Sequence, residues 1–128
     1  MGQPVVHFEV IGRDAAGLRN FYGELFNWEF DTSGPVPALV SDEGNYGYIE
    51  RTSASSGAGV PGGVGGGASR KPHTLFYVGV PDVAAALDQA ELLGGSRVWG
   101  PVTSPNGHLV VGQFTDPEGN LIGVANVV

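Results

Sequence analysis

The feature that most constrains the fold of this chain is an internal repeat, in which a strand-like segment ends in an aspartate that can cap a helix. The first copy reads VVHFEVIGRD at residues 5–14, and the second reads TLFYVGVPD at residues 74–82. Aligning Asp14 with Asp82 places His7 opposite Leu75. The repeat predicts two similar modules, and the mismatch at His7 bears on whether both modules carry the same side-chain chemistry.

An amphipathic pattern follows each of the two aspartates. Apolar residues recur one, four, eight and eleven positions later, which places them on one face of a helix because an α-helix has 3.6 residues per turn. Aspartate is also a favoured N-cap residue. We therefore predict one helix per module, packed on the strands of that module. The predicted contact residues are Ala15, Leu18, Tyr22 and Leu25 in the first copy, and Val83, Ala86, Ala90 and Leu93 in the second.

Strand-like segments separated by turn residues follow each predicted helix. They occupy residues 28–32, 38–41 and 46–51 in the first half, and residues 97–103, 109–115 and 121–127 in the second. Turn sequences at residues 105–107 and 116–120 separate the later segments. Each module is therefore predicted to be β-α-β-β-β, which gives an α+β fold. We expect a single domain over residues 1–128, with module one at about 4–52 and module two at about 73–128.

A glycine-rich segment lies between the two predicted modules. Seven of the eleven residues at 57–67 are glycine, a composition typical of flexible connections. A phosphate-binding loop is the alternative interpretation, but the segment is not followed by Lys-Ser or Lys-Thr and does not connect a strand to a helix. We therefore predict a flexible linker over residues 53–72.

The composition excludes several classes of function. Six Lys and Arg against thirteen Asp and Glu give a formal net charge of −7, which disfavours binding to nucleic acid or to anionic membranes. The chain has no cysteine, so disulfides, thiolate nucleophiles and cysteine-based metal sites are excluded. The first residues have neither the basic nor the apolar stretch typical of a leader, and no apolar run approaches the roughly 18 residues that a membrane span requires. We expect a cytoplasmic protein that binds neither nucleic acid nor membrane.

The tandem modules resemble the vicinal-oxygen-chelate superfamily, which includes glyoxalase I, extradiol dioxygenases, fosfomycin-resistance enzymes and bleomycin-binding proteins. The sequence is most similar to a glyoxalase-like branch, and the resemblance covers nearly the whole chain. It implies a mixed sheet cupped around a cavity, helices on the outer face, and a homodimer. The matching segments are residues 7–14, NFYGELFNW at 20–28, VPDVAAAL at 80–87 with Gly94-Gly95, and FTDPEGN at 114–120.

Strand parity assigns side chains to the implied cavity. Side chains alternate along a strand, so Phe8 and Val10 are expected to face the helix while His7 and Glu9 face the cavity. Pockets that mix apolar and polar groups suit small, partly aromatic organic molecules. The predicted ligand-binding residues are His7, Glu9, Ile11, Tyr48, Glu50, Leu75, Tyr77, Leu121 and Gly123, with Ala125 beside them.

Catalytic members of the superfamily, as the resemblance implies, hold a divalent ion through the first and last strands of each module. The corresponding residues here are His7, Tyr48, Leu75 and Gly123, where the pairing of Tyr48 with Gly123 depends on a Glu-Gly-Asn turn before each. Only His7 is an ordinary metal ligand, whereas Lewis-acid ions generally need three or more protein side chains. We therefore favour a protein without metal or other cofactor.

Three functional hypotheses follow from the sequence. The first is a protein that binds a small organic molecule without a metal. The second is a metal-dependent lyase, isomerase or dioxygenase in which His7, Glu50 and His73 form a shifted site, although a shift of two residues displaces a ligand by roughly 6–7 Å. The third is an interaction module whose cavity is filled by side chains. His7 is alternatively a cavity histidine that hydrogen-bonds Glu9 or Tyr48.

Overall fold

The computed structural model describes residues 2–49, 53–54 and 57–127, which form two compact units. The N-terminal unit is His7–Thr74, and the C-terminal unit is Leu75–Val128 together with the residues up to Val6. Each unit combines one helix with its own strands. The prediction of an α+β fold is therefore confirmed. Neither helix has the length and apolar character that crossing a membrane would require.

The N-terminal unit begins with a strand and a helix, β1 (Val5–Gly12) and α1 (Ala15–Phe26). Strand β5 lies between β2 and β1, parallel to β1 and antiparallel to β2. Strands β3 and β4 pair only with each other. The strands after α1 are β2 (Gly47–Ile49), β3 (Ser53–Ala54), β4 (Gly57–Ala58) and β5 (Gly62–Gly66).

The glycine-rich segment contains a buried strand, so the prediction of a flexible linker over residues 53–72 is wrong for that part of the chain. All five residues of β5 are buried, with Gly62 opposite Phe8 and Gly63 opposite Glu9. A Cβ atom at Gly62 would overlap the ring of Phe8, and one at Gly63 would overlap the ring of Tyr46. The glycines are required because aromatic side chains pack directly on the backbone of this strand.

Two strand predictions in the first half also differ from the structure. Residues 38–41 form a turn, in which the N–H groups of Val40 and Ser41 donate to the carbonyl of Pro37. Residues 28–32 contribute only an isolated bridge between Asp31 and Tyr48. Prolines at positions 35 and 37 lie between the two segments, where they remove two N–H donors from the connecting chain. Module one therefore extends to β5 rather than ending near residue 52.

The C-terminal unit matches the predicted β-α-β-β-β order. Its strand order is β6-β9-β8-β7, with β6 parallel to β9 and the remaining neighbours antiparallel. The three strands predicted after the second helix are all present. The elements are β6 (His73–Gly79), α2 (Val83–Leu92), β7 (Ser96–Thr103), β8 (Val110–Thr115) and β9 (Leu121–Ala125).

Both helices begin at the predicted aspartates. The Asp14 carboxylate accepts a hydrogen bond from the Gly17 N–H, and the Asp82 carboxylate accepts one from the Ala85 N–H, each at 3.0 Å. These bonds satisfy N–H groups that have no partner inside the first turn. The last residue of each predicted apolar stripe, Leu25 or Leu93, is exposed because it lies in or beyond the final helical turn.

Candidate functional site

The strands of the N-terminal unit carry different side chains on their two faces. On the face that meets α1, the Phe8 ring packs against Trp28, with ring centroids 5.2 Å apart. On the opposite face, Tyr46 lies over Gly63 and contacts His7 and Glu9. This arrangement agrees with the alternation expected for a strand. We call the side of each unit opposite its helix the open face.

A chain of hydrogen bonds joins three residues on the open face of the N-terminal unit. The Tyr46 hydroxyl donates to Glu9 Oε1 at 2.9 Å and lies 2.8 Å from His7 Nε2. Because the hydroxyl hydrogen is directed to Glu9, His7 must donate its Nε2–H to the Tyr46 oxygen. Glu9 and Tyr46 are each only 2% exposed. Tyr46 is thus the partner of His7, where the sequence indicated Glu9 or Tyr48.

Burial favours the uncharged forms of His7 and Tyr48. It lowers the pKa of His7 to about 4, since the imidazolium ion would lose hydration. Burial also raises the pKa of Tyr48, and the nearby Glu9 carboxylate raises it further. The Tyr48 hydroxyl donates to the carbonyl of Pro35 at 2.6 Å. Its ring centroid lies 4.8 Å from that of Tyr46 and 6.3 Å from that of His7.

A row of four residues crosses the open face of the C-terminal unit. Trp99 pairs with Gln113, Gln113 with Gly123, and Gly123 with Tyr77, on strands β7, β8, β9 and β6 respectively. The Tyr77 ring covers Gly123, and its hydroxyl oxygen accepts a hydrogen bond of 2.9 Å from Gln113 Nε2. A buried apolar cluster surrounds this row, with partly buried residues at its margin. The cluster contains Leu75, Tyr77, Val111 and Ala125, flanked by Trp99, Leu109 and Leu121.

The strand register corrects one of the predicted ligand positions. Gly123 lies opposite Tyr77 on the parallel pair β9 and β6, and Gly63 lies opposite Glu9 on the parallel pair β5 and β1. Glu9 and Tyr77 are aligned in the repeat, so Gly63 corresponds to Gly123. The assignment of Tyr48 to that position is wrong, because β5 has no strand-like alternation in its sequence and lies within the segment predicted as a linker.

The corrected positions, His7, Gly63, Leu75 and Gly123, do not fit a divalent ion. Among them only His7 has a ligand atom, and the two glycines are covered by tyrosine rings. Within residues 2–49, 53–54 and 57–127, no three His, Asp or Glu side chains are grouped closely enough to hold a metal ion. No catalytic step through a metal follows from these residues.

Ile11 and His73 take no part in the two hydrogen bonds described for Tyr46. Ile11 is buried, and together with His73 it lines a groove of about 720 Å³ at the start of α1. His73 Nδ1 lies 2.7 Å from the carbonyl oxygen of Lys71. Glu50 lies outside the described residues. The shifted metal site built on His7, Glu50 and His73 therefore stays a prediction.

Sequence reasoning missed three residues of the open faces, namely Tyr46, Trp99 and Gln113. Tyr46 precedes Tyr48 by two positions, so strand parity could have placed both on one face. Trp99 and Gln113 fall within segments that were predicted as strands. Their partnership depends on the β7–β8 register, which shifts on both sides of Trp99 and could not be counted from the sequence.

Comparison with known proteins identifies the family. The sequence profile of the Glyoxalase/Bleomycin resistance protein/Dioxygenase superfamily matches residues 5–124. The chain belongs to this superfamily. The finding confirms the resemblance noted in the sequence. A search of curated proteins gave no match.

Solved structures of other superfamily members and of related folds resemble the chain. A methylmalonyl-CoA epimerase variant from Streptomyces coelicolor, in complex with 2-nitronate-propionyl-CoA, is 14% identical with a TM-score of 0.66, covering 96% of each chain. A hypothetical protein from Bacillus halodurans is 11% identical with a TM-score of 0.68, over 98% of this chain and 94% of that one. A superfamily member from Vibrio splendidus is 14% identical with a TM-score of 0.52, over 97% and 98%. These similarities show a shared fold.

Proposed function

We propose that this superfamily member binds a small organic molecule on its open faces without a metal ion. The observation that carries the proposal is the pair of glycines at the last-strand positions. Gly63 lies beneath the ring of Tyr46, and Gly123 lies beneath the ring of Tyr77. At these positions buried tyrosine rings stand in place of carboxylate or imidazole ligands. Aromatic side chains of this kind suit the lining of an organic-ligand site better than the shell of a hydrated cation.

The N-terminal open face would orient the ligand by hydrogen bonding and ring contact. His7 and Tyr48 are only partly buried, so a ligand can reach their rings, whereas Tyr46 and Glu9 lie behind them. The hydrogen bonds to Tyr46 hold His7 in one tautomer and one orientation. A preorganised group of this kind loses little conformational entropy when a ligand binds.

Metal analysis with matched histidine variants tests the metal-free part of the proposal. We expect protein purified without chelator to contain Mn, Fe, Ni and Zn well below one ion per chain. His108→Ala is the control for His7→Ala because His108 is exposed near a hairpin turn. A near-stoichiometric metal that is retained in His108→Ala and lost in His7→Ala would overturn the proposal and favour the metal-dependent enzyme.

A screen of small organic molecules tests the binding part. Compounds that bind should perturb the NMR signals of His7 and Tyr48, with affinities unchanged by EDTA. His7→Ala should weaken these compounds at least tenfold, whereas His108→Ala should leave their affinity unchanged. If compounds perturb only residues outside the open faces, the proposal is wrong and the interaction module is favoured.

A further inference from the structure

Gln113 is an almost fully buried polar residue with an acceptor directed into accessible space. Its side chain is 4% exposed, and its Nε2 donates to the Tyr77 hydroxyl oxygen at 2.9 Å. Its Oε1 accepts no hydrogen bond from the part of the chain that the structure describes. Across that same part, every fully buried side-chain nitrogen or oxygen atom has a partner. Gln113 Oε1 is therefore not fully buried, and its hydrogen-bonded neighbour Tyr77 places the side chain on the open face.

The surroundings of this oxygen are flat and apolar. Trp99 is its neighbour on β7, and on the other side the Tyr77 ring lies over Gly123. Leu109 and Leu121 are partly buried at the margin of the same cluster. The described side chains of this cluster are aliphatic or aromatic. A charged ligand group would lose hydration here without gaining a counter-charge.

We propose that Trp99 and Gln113 form a subsite for an uncharged, planar ligand group that carries a hydrogen-bond donor. A ring hydroxyl or ring N–H donates to Gln113 Oε1, while the ring packs against Trp99. This inference rests on the proposed function, because it takes the open face of the C-terminal unit, by itself, as a place where a small molecule binds. A site built around one buried acceptor discriminates strongly against ligands that lack the donor, since the acceptor would be left unpaired.

The orientation of the Gln113 amide determines which ligands are preferred. The oxygen and nitrogen of a glutamine side chain are distinguished by their hydrogen-bond partners. Donation from Nε2 to Tyr77 leaves the oxygen on the accessible side. The reverse orientation would present an N–H donor and would favour ligands with an acceptor, so the ligand preference itself reports the orientation.

Three naphthalene probes test the inference. They are 2-naphthol, which carries a donor, 2-methoxynaphthalene, which has the same ring without a donor, and the anion 2-naphthoate. Binding is followed by the indole N–H signal of Trp99, with that of Trp28 on the helix side of the N-terminal unit as an internal reference. We expect 2-naphthol to bind about tenfold more tightly than its methyl ether, the difference of one hydrogen bond. We expect 2-naphthoate to bind more weakly than either.

Two matched glutamine variants test whether Gln113 causes the preference for 2-naphthol over its methyl ether. Gln113→Leu should reduce the preference for 2-naphthol to less than twofold, whereas Gln89→Leu should preserve it, because Gln89 is exposed on α2. Equal affinity for the two neutral probes, tighter binding of the ether, or tighter binding of naphthoate would each overturn the inference. The comparison of probes on the unaltered protein decides the question even if Gln113→Leu does not fold.

The location of the perturbed signals separates this inference from the proposed function. Naphthol shifts confined to Ala86 and Phe114 would place the probe in the groove of about 370 Å³ between α2 and its strands, and would overturn the subsite. Compounds from the screen that still perturb His7 in that case would leave the proposed function intact. Failure of both measurements would overturn both.

Discussion

At the scale of single residues, the Tyr46 hydroxyl forms hydrogen bonds with two other side chains. It donates to Glu9 and accepts from His7. Both of these residues lie on β1, whereas Tyr46 is far from them in the sequence. Removing a hydrogen-bond partner from a buried polar group costs more than forming the bond contributes, because the remaining group stays dehydrated. The Tyr46 hydroxyl is therefore expected to contribute more to the free energy of unfolding than an exposed tyrosine hydroxyl does.

Tyr46→Phe is predicted to lower the free energy of unfolding by about 1–3 kcal/mol, because one buried and one partly buried hydrogen bond are lost while the ring is retained. Tyr48→Phe is the matched control. Its hydroxyl bonds only the exposed Pro35 carbonyl among the contacts described, so a loss of less than about 1 kcal/mol is expected. Urea denaturation of both variants measures the difference. Equal losses in the two variants would contradict the prediction.

The lowered pKa of His7 predicts a loss of stability in mild acid. The pKa is 6.5 for an unperturbed histidine and about 4 in the folded protein, so between these values the unfolded chain binds the proton more readily. Stability should therefore decrease as the pH falls from 6.5 toward 4, by at most about 3 kcal/mol. Denaturation of the wild type and of His7→Gln at pH 7.5 and pH 4.5 tests this prediction.

The comparison of the two proteins isolates the titration of His7. The carboxyl groups of Asp31 and Asp116 have pKa values lowered by hydrogen bonds, so they titrate below this pH window. We expect the decrease between the two pH values to be smaller in His7→Gln, which cannot be protonated at that position. The same decrease in both proteins would show that His7 is not the group responsible.

At the scale of elements, β5 shows that glycine can be selected for packing as well as for flexibility. The strand has one apolar side chain, Val64, and otherwise consists of glycine. Its stability comes from its ladders with β1 and β2 and from the aromatic rings that cover both of its faces. A strand of this kind has none of the alternation by which strands are recognised in a sequence.

Gly63→Ala distinguishes a packed strand from a linker by the sign of its effect. In a linker, alanine would be neutral or would stabilise the protein by up to about 1 kcal/mol. In β5 the added methyl group would overlap the Tyr46 ring, so we predict a loss of about 1–3 kcal/mol. Gly2→Ala, where the methyl group would meet no atom within 4 Å, should be neutral. Thermal denaturation of both variants decides between the two outcomes.

Local periodicity in the sequence separates the features that could be predicted from those that could not. The helices, their aspartate caps and the strands of the C-terminal unit were predicted because each carries a local periodicity. His7, Glu9 and Tyr77 were placed on the correct face by parity. The partner of His7 and the counterpart of Gly123 were missed because both depend on β5. Its position is set by contacts with distant rings rather than by its own sequence.

At the scale of the whole molecule, acidic residues are in excess, and two of the six basic residues form ion pairs with them in the part of the chain that the structure describes. Arg70 lies 3.0 Å from the Asp42 carboxylate. Arg97 lies 2.6 Å from Asp88 and 2.9 Å from Glu91. Exposed ion pairs of this kind contribute little to stability. They do reduce the positive charge that is available to polyanions.

We predict that the protein passes unretained through a heparin column in 50 mM salt, since its net charge of −7 opposes binding to a polyanion. A basic protein of similar size serves as the positive control. Retention that is removed by higher salt would reveal a basic surface and contradict the prediction. The homodimer implied by the family stays a prediction, which light scattering tests directly through the mass in solution.

The tyrosine rings over Gly63 and Gly123 have a consequence for the history of this chain. A substitution such as Gly123→Glu would direct a carboxylate into the volume that Tyr77 fills, so the fold would be disturbed before any ion could be held. A metal ligand at either glycine position therefore requires two changes, the first of which must withdraw the ring. At these two positions the packing of the rings forms a barrier that no single substitution of the glycine crosses.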